Sequence, residues 1–351
     1  MSGTRTVQVA IGVGGANSGS RRDWEDQVTF VREAEKLGVD VVWTAEAWGQ
    51  DAVAPLAYLA AVTSTMKLGT GIMQISARTP SMTAMTALTM AAISEDRFIL
   101  GLGASGPQVV EGLQGRPFKA PVTRMKETIE IIRMAFAGEK ISYEGKYHRL
   151  PLPGGQGKAL RLSQPGNDKI PIYLATLSPK ALALTGEMGD GWVGTSFTPK
   201  TGAPVIDQIQ RGAEKAGRSL NDIDLQVGGS VAFSDDVDGL IRKYKTGMAF
   251  QLGAMGSATT NFYNDAFKRQ GYEEDATAVQ ELWVAGKRDA AIDRVPDEMI
   301  VESNLLGTDE MVKARINDYR QAGITTLRLS PDGRTLNERI ECLGRAMDLI
   351  E

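Results

Sequence analysis

Few side chains in this sequence can do chemistry unaided. There is one histidine, His148, set between Tyr147 and Arg149, and one cysteine, Cys342, which cannot close an internal disulfide. No group of cysteines and histidines has zinc-ligand spacing, so no metal is expected. The ionisable residue best placed for catalysis is Glu46, just beyond the apolar run Val41-Val42-Trp43. Burial there would favour its protonated form and suit it to donating a proton; pairing with an arginine or lysine across the same rim is the alternative. Trp48 would wall a substrate pocket or cover the rim, and Gln74 offers a side-chain amide for hydrogen bonding.

The other signals are turns of small residues. In Thr176-Leu177-Ser178-Pro179-Lys180, Ser178 suits a helix N-cap and Pro179 the first helical position. Free amides and the positive helix end favour an anion there, with the Ser178 hydroxyl or Lys180 able to add a contact. Gly103-Ala104-Ser105-Gly106 offers a second such turn. With glycine turns, few ionisable groups and no metal ligands, the reactivity must come from a cofactor.

These residues need elements to hold them. Short apolar, β-rich runs at 7–13, 39–44, 67–75, 97–103, 170–175, 191–195, 223–233 and 325–329 alternate with helical spacing at 23–37, 52–63, 80–93, 122–136, 179–188, 206–216, 236–321 and 336–350. A small hairpin is expected at 141–152 and a Gly- and Pro-rich loop at 153–169. Near-continuous apolar strands separated by helices indicate parallel strands covered on both faces. The expected fold is α/β, a (β/α)8 TIM barrel forming one domain over 1–351, with a hairpin after helix four and a helical insertion at about 253–322 beside strand seven. A doubly wound sheet is the rival, but no G-x-G-x-x-G follows strand one, where Gly15 runs into Ala16 and Asn17. The functional residues above then cluster, because they end strands two to five.

At 351 residues with 42% hydrophobic and 23% charged, the chain can bury a large core, which excludes disorder. Net charge is −4 with no block of like charge, which argues against nucleic acid as a partner. No signal peptide or spanning segment is recognisable at the N-terminus or in the apolar stretch 79–94, so no membrane association and a cytoplasmic location are expected.

The stretches GVDVVWTAEAWGQDA, LGTGI, FILGLGASGP and SPKALALTGEMGDGW resemble the bacterial-luciferase-like superfamily, specifically its coenzyme F420-dependent oxidoreductases, over nearly the whole chain. That resemblance implies a homodimer and an F420 or FMN ring at the C-terminal mouth of the barrel, braced by a non-proline cis peptide at Gly71-Ile72. It implies phosphate contacts from the Gly103–Gly106 and Thr176–Lys180 turns, and a role for Glu46 beside the ring. Related sugar-phosphate dehydrogenases carry an active-site histidine after strand two, where this chain has Ala47 beside Glu46, which argues against that alcohol-oxidising chemistry. The expected function is F420-dependent hydride transfer to a small organic substrate, with an activated C=C, C=O or imine favoured. An FMN-dependent monooxygenase and a non-catalytic ligand-binding barrel are the alternatives. Met255, Phe262 and Trp283 would form a lid over the substrate or only pack the insertion, while Met82, Met85 and Met90 fill the core or a dimer interface. Asp190-Gly191-Trp192 is expected to serve turn and packing, and His148 a structural role.

Overall fold

In the computed structural model, residues 7–14, 19–256 and 260–350 are described; Gly15, Ala16 and Asn17, which break the dinucleotide fingerprint, lie outside them. The first half of the chain runs β1 (Gln8–Gly12), α1 (Arg21–Lys36), β2 (Val41–Thr44), α2 (Val53–Ala60), β3 (Lys67–Thr70), β4 (Met73–Gln74), α3 (Pro80–Ile93), β5 (Phe98–Gly103), α4 (Pro121–Phe136) and the hairpin β6 (Tyr143–Glu144) with β7 (Arg149–Leu150). It continues through β8 (Ile172–Ala175), α5 (Pro179–Met188), β9 (Gly191–Val193), α6 (Ala203–Lys215), β10 (Asp224–Val227) and β11 (Ser230–Phe233). Then come α7 (Val237–Ala254), α8 (Phe262–Phe267), α9 (Glu273–Val284), α10 (Arg288–Arg294), α11 (Asp297–Ser303), β12 (Leu305–Gly307), α12 (Asp309–Gln321), β13 (Thr326–Pro331) and α13 (Leu336–Ile350).

Strands β1, β2, β3, β5, β8, β9, β10 and β13 pair in parallel, each with the next, and β13 returns to β1 with Ala10 opposite Arg328. This ring is the expected (β/α)8 barrel. Alternation along each strand sorts side chains into two cores. Val9, Val42, Leu68, Leu100, Leu174, Leu225 and Leu327 face the helices. Ala10, Val41, Trp43, Ile99, Tyr173 and Val193 face the axis.

The glycines of strands three and four have a packing role inside the ring. A Cβ on Gly69 would lie 2.3 Å from the Trp43 ring, and one on Gly101 would lie 1.8 Å from the Thr70 carbonyl. Only residues without a side chain let the indole lie flat across these strands.

Three boundaries differ from expectation. Strand three breaks at Gly71-Ile72, where the peptide bond is cis as the resemblance implies, and resumes as β4 alongside β5. Strand seven breaks at Gly228-Gly229, where a Cβ would meet the Arg328 carbonyl at 2.1 Å or the Ser303 carbonyl at 2.2 Å; β11 then pairs with β13 and β12. The helical insertion spans Val237–Ser303 rather than about 253–322. Its core of Ile241, Met248, Leu252, Phe267, Val279 and Met299 is separate from the barrel's, whereas Val312, Ile316 and Tyr319 of α12 pack in the main core. The strand β12 was hidden in the sequence by its length of three residues.

Candidate active site

The C-terminal tips of β3–β4, β5 and β8 are consecutive in the ring, so the three turns expected to hold a cofactor form one continuous arc of the mouth. Gly71 donates its amide to the Thr44 carbonyl at 2.6 Å, and the Ile72 carbonyl accepts the Glu46 amide at 3.0 Å. These bonds fix the bulge against the tip of β2. The Ile72 side chain fills the space above Gly103, where a Cβ would lie 2.8 Å from it. Beyond Gly103 and Ala104, Ser105 has φ +59° and Gly106 starts a short π-helical turn, Gln108–Leu113, by accepting from the Val109 and Val110 amides.

The turn after β8 divides in two. Leu177, Ser178 and Lys180 border the N-terminus of α5, where Ser178 is the N-cap with extended backbone and its hydroxyl makes no capping bond. Lys180 is exposed and forms no ion pair among the described residues. Thr176 is different: its hydroxyl bonds Thr185 at 2.8 Å and its carbonyl accepts from Trp192 Nε1 at 3.1 Å. Its side chain is engaged with α5, so of the expected contacts it is the one whose hydroxyl already serves packing. Trp192 itself is fully buried on the helix side, which accounts for the Asp-Gly-Trp stretch as packing. Asp190 accepts from the Ile172 amide and from Arg133.

Glu46 lies at the mouth with its side chain 8% exposed, and both of its oxygens are taken. Arg78 donates to them at 2.7 and 2.8 Å, and the Ala52 and Gln74 amides add longer bonds at 3.4 and 3.1 Å. Together these contacts fix the carboxylate in place at the rim. Gln74 is also committed, since its amide donates to the Glu46 and Ala47 carbonyls at 3.3 and 3.2 Å and its oxygen accepts from Gln114. Trp48 is 65% exposed and lines an open cleft of about 510 Å³ with Glu46, Gln74, Arg78 and Leu113.

The insertion roofs the mouth. Gln251 of α7 donates to the Ser196 hydroxyl at 2.8 Å, and Gln270 donates to the Ser196 carbonyl at 2.6 Å while accepting the Thr198 amide at 2.9 Å. Arg269 reaches the Leu177 carbonyl at 2.8 Å, and Phe262 packs on Phe118 beyond β5. Met255 caps the C-terminus of α7 and is half-buried. Trp283 instead meets Phe250 edge to face and lies under the Arg288 guanidinium, and so serves the insertion itself.

Sequence reading missed Arg78, Arg269 and Arg328. Arg328 was visible in outline, as a charge inside the otherwise alternating Thr-Leu-Arg-Leu-Ser of the last strand. The arginine partners carried no such mark, because α3's leading loop and the insertion are joined to the rim only by folding. His148 sits 3.1 Å from Glu127, which also accepts the amides of Lys146, Tyr147 and His148, so it clasps the hairpin to α4. Among the described residues no three His, Cys, Asp or Glu side chains could hold a metal, and no helix is long and apolar enough to cross a membrane.

A closed parallel barrel with a small-residue arc under a helical roof defines a class of ligand-binding and catalytic barrels. Over residues 6–326 the sequence matches the luciferase-like monooxygenase family, and the chain belongs to it. It is 37% identical over 311 residues to a protein of Mycobacterium tuberculosis named as a coenzyme F420-dependent oxidoreductase, covering 86% of this chain and 90% of that one. It is 30% identical over 323 residues to the 5,10-methylenetetrahydromethanopterin reductase of Archaeoglobus fulgidus, covering 90% and 92%. The structure of the coenzyme F420-dependent tetrahydromethanopterin reductase of Methanopyrus kandleri superposes with a TM-score of 0.79 at 25% identity, covering 96% of this chain and 97% of that one.

Proposed function

We propose that this protein is an F420-dependent oxidoreductase that reduces a small organic substrate at an activated C=C, C=O or imine. The observation that carries this reading is the continuous arc of small-residue tips on β3–β4, β5 and β8, with free anion-binding groups at one end. The residues fit a phosphorylated planar coenzyme. The Ser178 hydroxyl, Lys180 and Arg269 border the turn after β8, where a phosphate would be held. The names of the relatives point to the same coenzyme rather than to FMN.

When bound, the reduced deazaflavin supplies a hydride, which the protein's own side chains cannot. The protein's part is binding, orientation and exclusion of water. Gly71 and Ile72 form the back wall, and the Gly103–Gly106 turn with Leu177, Ser178 and Lys180 holds the tail. The roof of Gln251, Gln270 and Phe262 keeps water from the ring, and Trp48 and Met255 border the substrate. The Glu46–Arg78 pair holds the β2 tip against the bulge as a positioning device.

The protein acts as a homodimer in the cytoplasm. Support comes from Tyr58, Met82, Met85 and Ile93, exposed apolar residues on neighbouring α2 and α3, and from a single free, half-buried thiol. Anaerobic titration with F420, F420H2, FMN and FMNH2, read by fluorescence, tests the reading. Micromolar or tighter F420 binding with weak FMN binding is expected, and the reverse would overturn it.

A further inference from the structure

Among the described residues, Arg328 is the one arginine on the axis side of the barrel wall. It alternates with Leu327 and Leu329, which face the helices, so its side chain enters the upper interior from β13. Among the described residues its guanidinium makes one hydrogen bond, to the Gly194 carbonyl at 3.2 Å, and no ion pair. Burial presses its pKa below the ordinary arginine value, opposed by the phenol of Tyr263, which lies close by on α8. One layer deeper on the adjacent strand, Gln226 is wholly buried, and both its amide nitrogen and its oxygen lack partners. The Trp43 indole nitrogen, also facing the axis, lacks one too.

A largely buried cation without a carboxylate is expensive to keep unless it meets an anion in the working state. Position in the ring says which anion. β13 stands four strands from β5, diametrically across the mouth, and three from both β3 and β8. A coenzyme seated on the β3–β5–β8 arc therefore leaves Arg328 to whatever lies on the opposite side. We infer that Arg328, with Tyr263 beside it, anchors an oxyanion of the substrate, a carboxylate or phosphate, across the mouth from the coenzyme. This assignment rests on the proposed coenzyme reading for its side of the mouth. The anion site itself belongs to Arg328 whatever the coenzyme.

The probes are inorganic phosphate and malonate, titrated by calorimetry into the protein alone and into the protein loaded with F420, with F420 affinity measured separately by fluorescence. The variants are Arg328→Met, Arg328→Lys and Tyr263→Phe, each checked for native circular dichroism. Loss of charged hydrogen bonds predicts anion binding weakened by about 10- to 100-fold in Arg328→Met, with much of it retained in Arg328→Lys. Tyr263→Phe should lower it by about 2- to 5-fold, and F420 affinity should change less than about 2-fold in all three. Equal loss of F420 affinity in Arg328→Met would assign the guanidinium to the coenzyme's phosphodiester tail and overturn the inference. So would unchanged anion binding in that variant, or no anion binding by the unsubstituted protein. If Arg328→Met does not fold, the Tyr263→Phe titration decides, and unchanged anion binding in that variant is a refutation. Absence of F420 binding by the unsubstituted protein would sink the coenzyme reading alone, since the anion titration without coenzyme still reports on Arg328.

Discussion

Arg78 grips both carboxylate oxygens of Glu46, at 2.7 and 2.8 Å, and so ties the loop that opens α3 to the tip of β2. The sequence leaves Glu46 either a proton donor or the partner of a cation across the rim, and its neighbours are those of a structural anchor. If the pair acts by positioning, Glu46→Gln and Arg78→Met remove the same interaction. Each should destabilise the fold by about 1–3 kcal/mol and lower kcat to a similar degree. The double variant should be little worse than either single one. Denaturant unfolding and steady-state kinetics check this; collapse of kcat in Glu46→Gln with Arg78→Met near normal would instead mark Glu46 as the proton donor.

Ser178 and Thr176 stand two residues apart in one turn, yet only the first has an uncommitted hydroxyl. Ser178→Asp puts a negative charge against the expected phosphate and should weaken F420 binding by more than about 10-fold, the equivalent of one charge-assisted bond replaced by repulsion. Thr176→Val breaks the bond to Thr185 and should lower stability by about 1 kcal/mol without altering coenzyme affinity. Fluorescence titration and thermal unfolding of the two variants separate these effects.

The barrel was legible because each of its strands is an apolar run followed by a helical period, and that pattern is local. What failed was local in appearance only. Gly69 and Gly101 carry no mark of their role in the sequence, because the Trp43 ring over Gly69 and the Thr70 carbonyl against Gly101 are contacts between strands that spacing along one strand cannot disclose. Gly228-Gly229 looked like the middle of a strand because apolar residues flank it; the close approach of Ser303 and Arg328 that breaks it comes from far along the chain. The arc of candidate turns could be assembled from strand order alone. Its partners Arg78 and Arg269 could not, since nothing in their own neighbourhoods sets them apart from surface arginines.

The packing of Trp43 makes a sharp test. Gly101→Ala drives a methyl group onto the Thr70 carbonyl, a backbone atom that cannot turn aside, and Gly69→Ala strikes the indole. Either should destabilise by about 3 kcal/mol or more, or abolish folding. Gly247→Ala on α7, where a Cβ meets nothing within 4 Å, should be neutral or stabilising by about 0.5–1 kcal/mol through helix propensity. Urea midpoints for the three variants would show the contrast, and tolerance of Gly101→Ala would mean the interior is looser than these distances require.

Acid should loosen the hairpin before the barrel, through Glu127. Burial pushes this carboxyl up, but the amides of Tyr147, Lys146 and His148 and the His148 ring together outweigh it and hold the folded group below its ordinary 4.5. A folded pKa below the unfolded one means that the unfolded chain binds the proton more readily. The stabilisation is therefore complete above the unfolded value and drains away as pH falls through the folded one. Glu127→Gln removes the charge at every pH and should cost about 1–3 kcal/mol at pH 7. The gap between it and the unsubstituted protein should shrink steadily below pH 4.5. Urea unfolding of both proteins at pH 7, 5, 4 and 3 measures that gap; a constant difference across the series would show that the bonds to Glu127 do not depend on its charge.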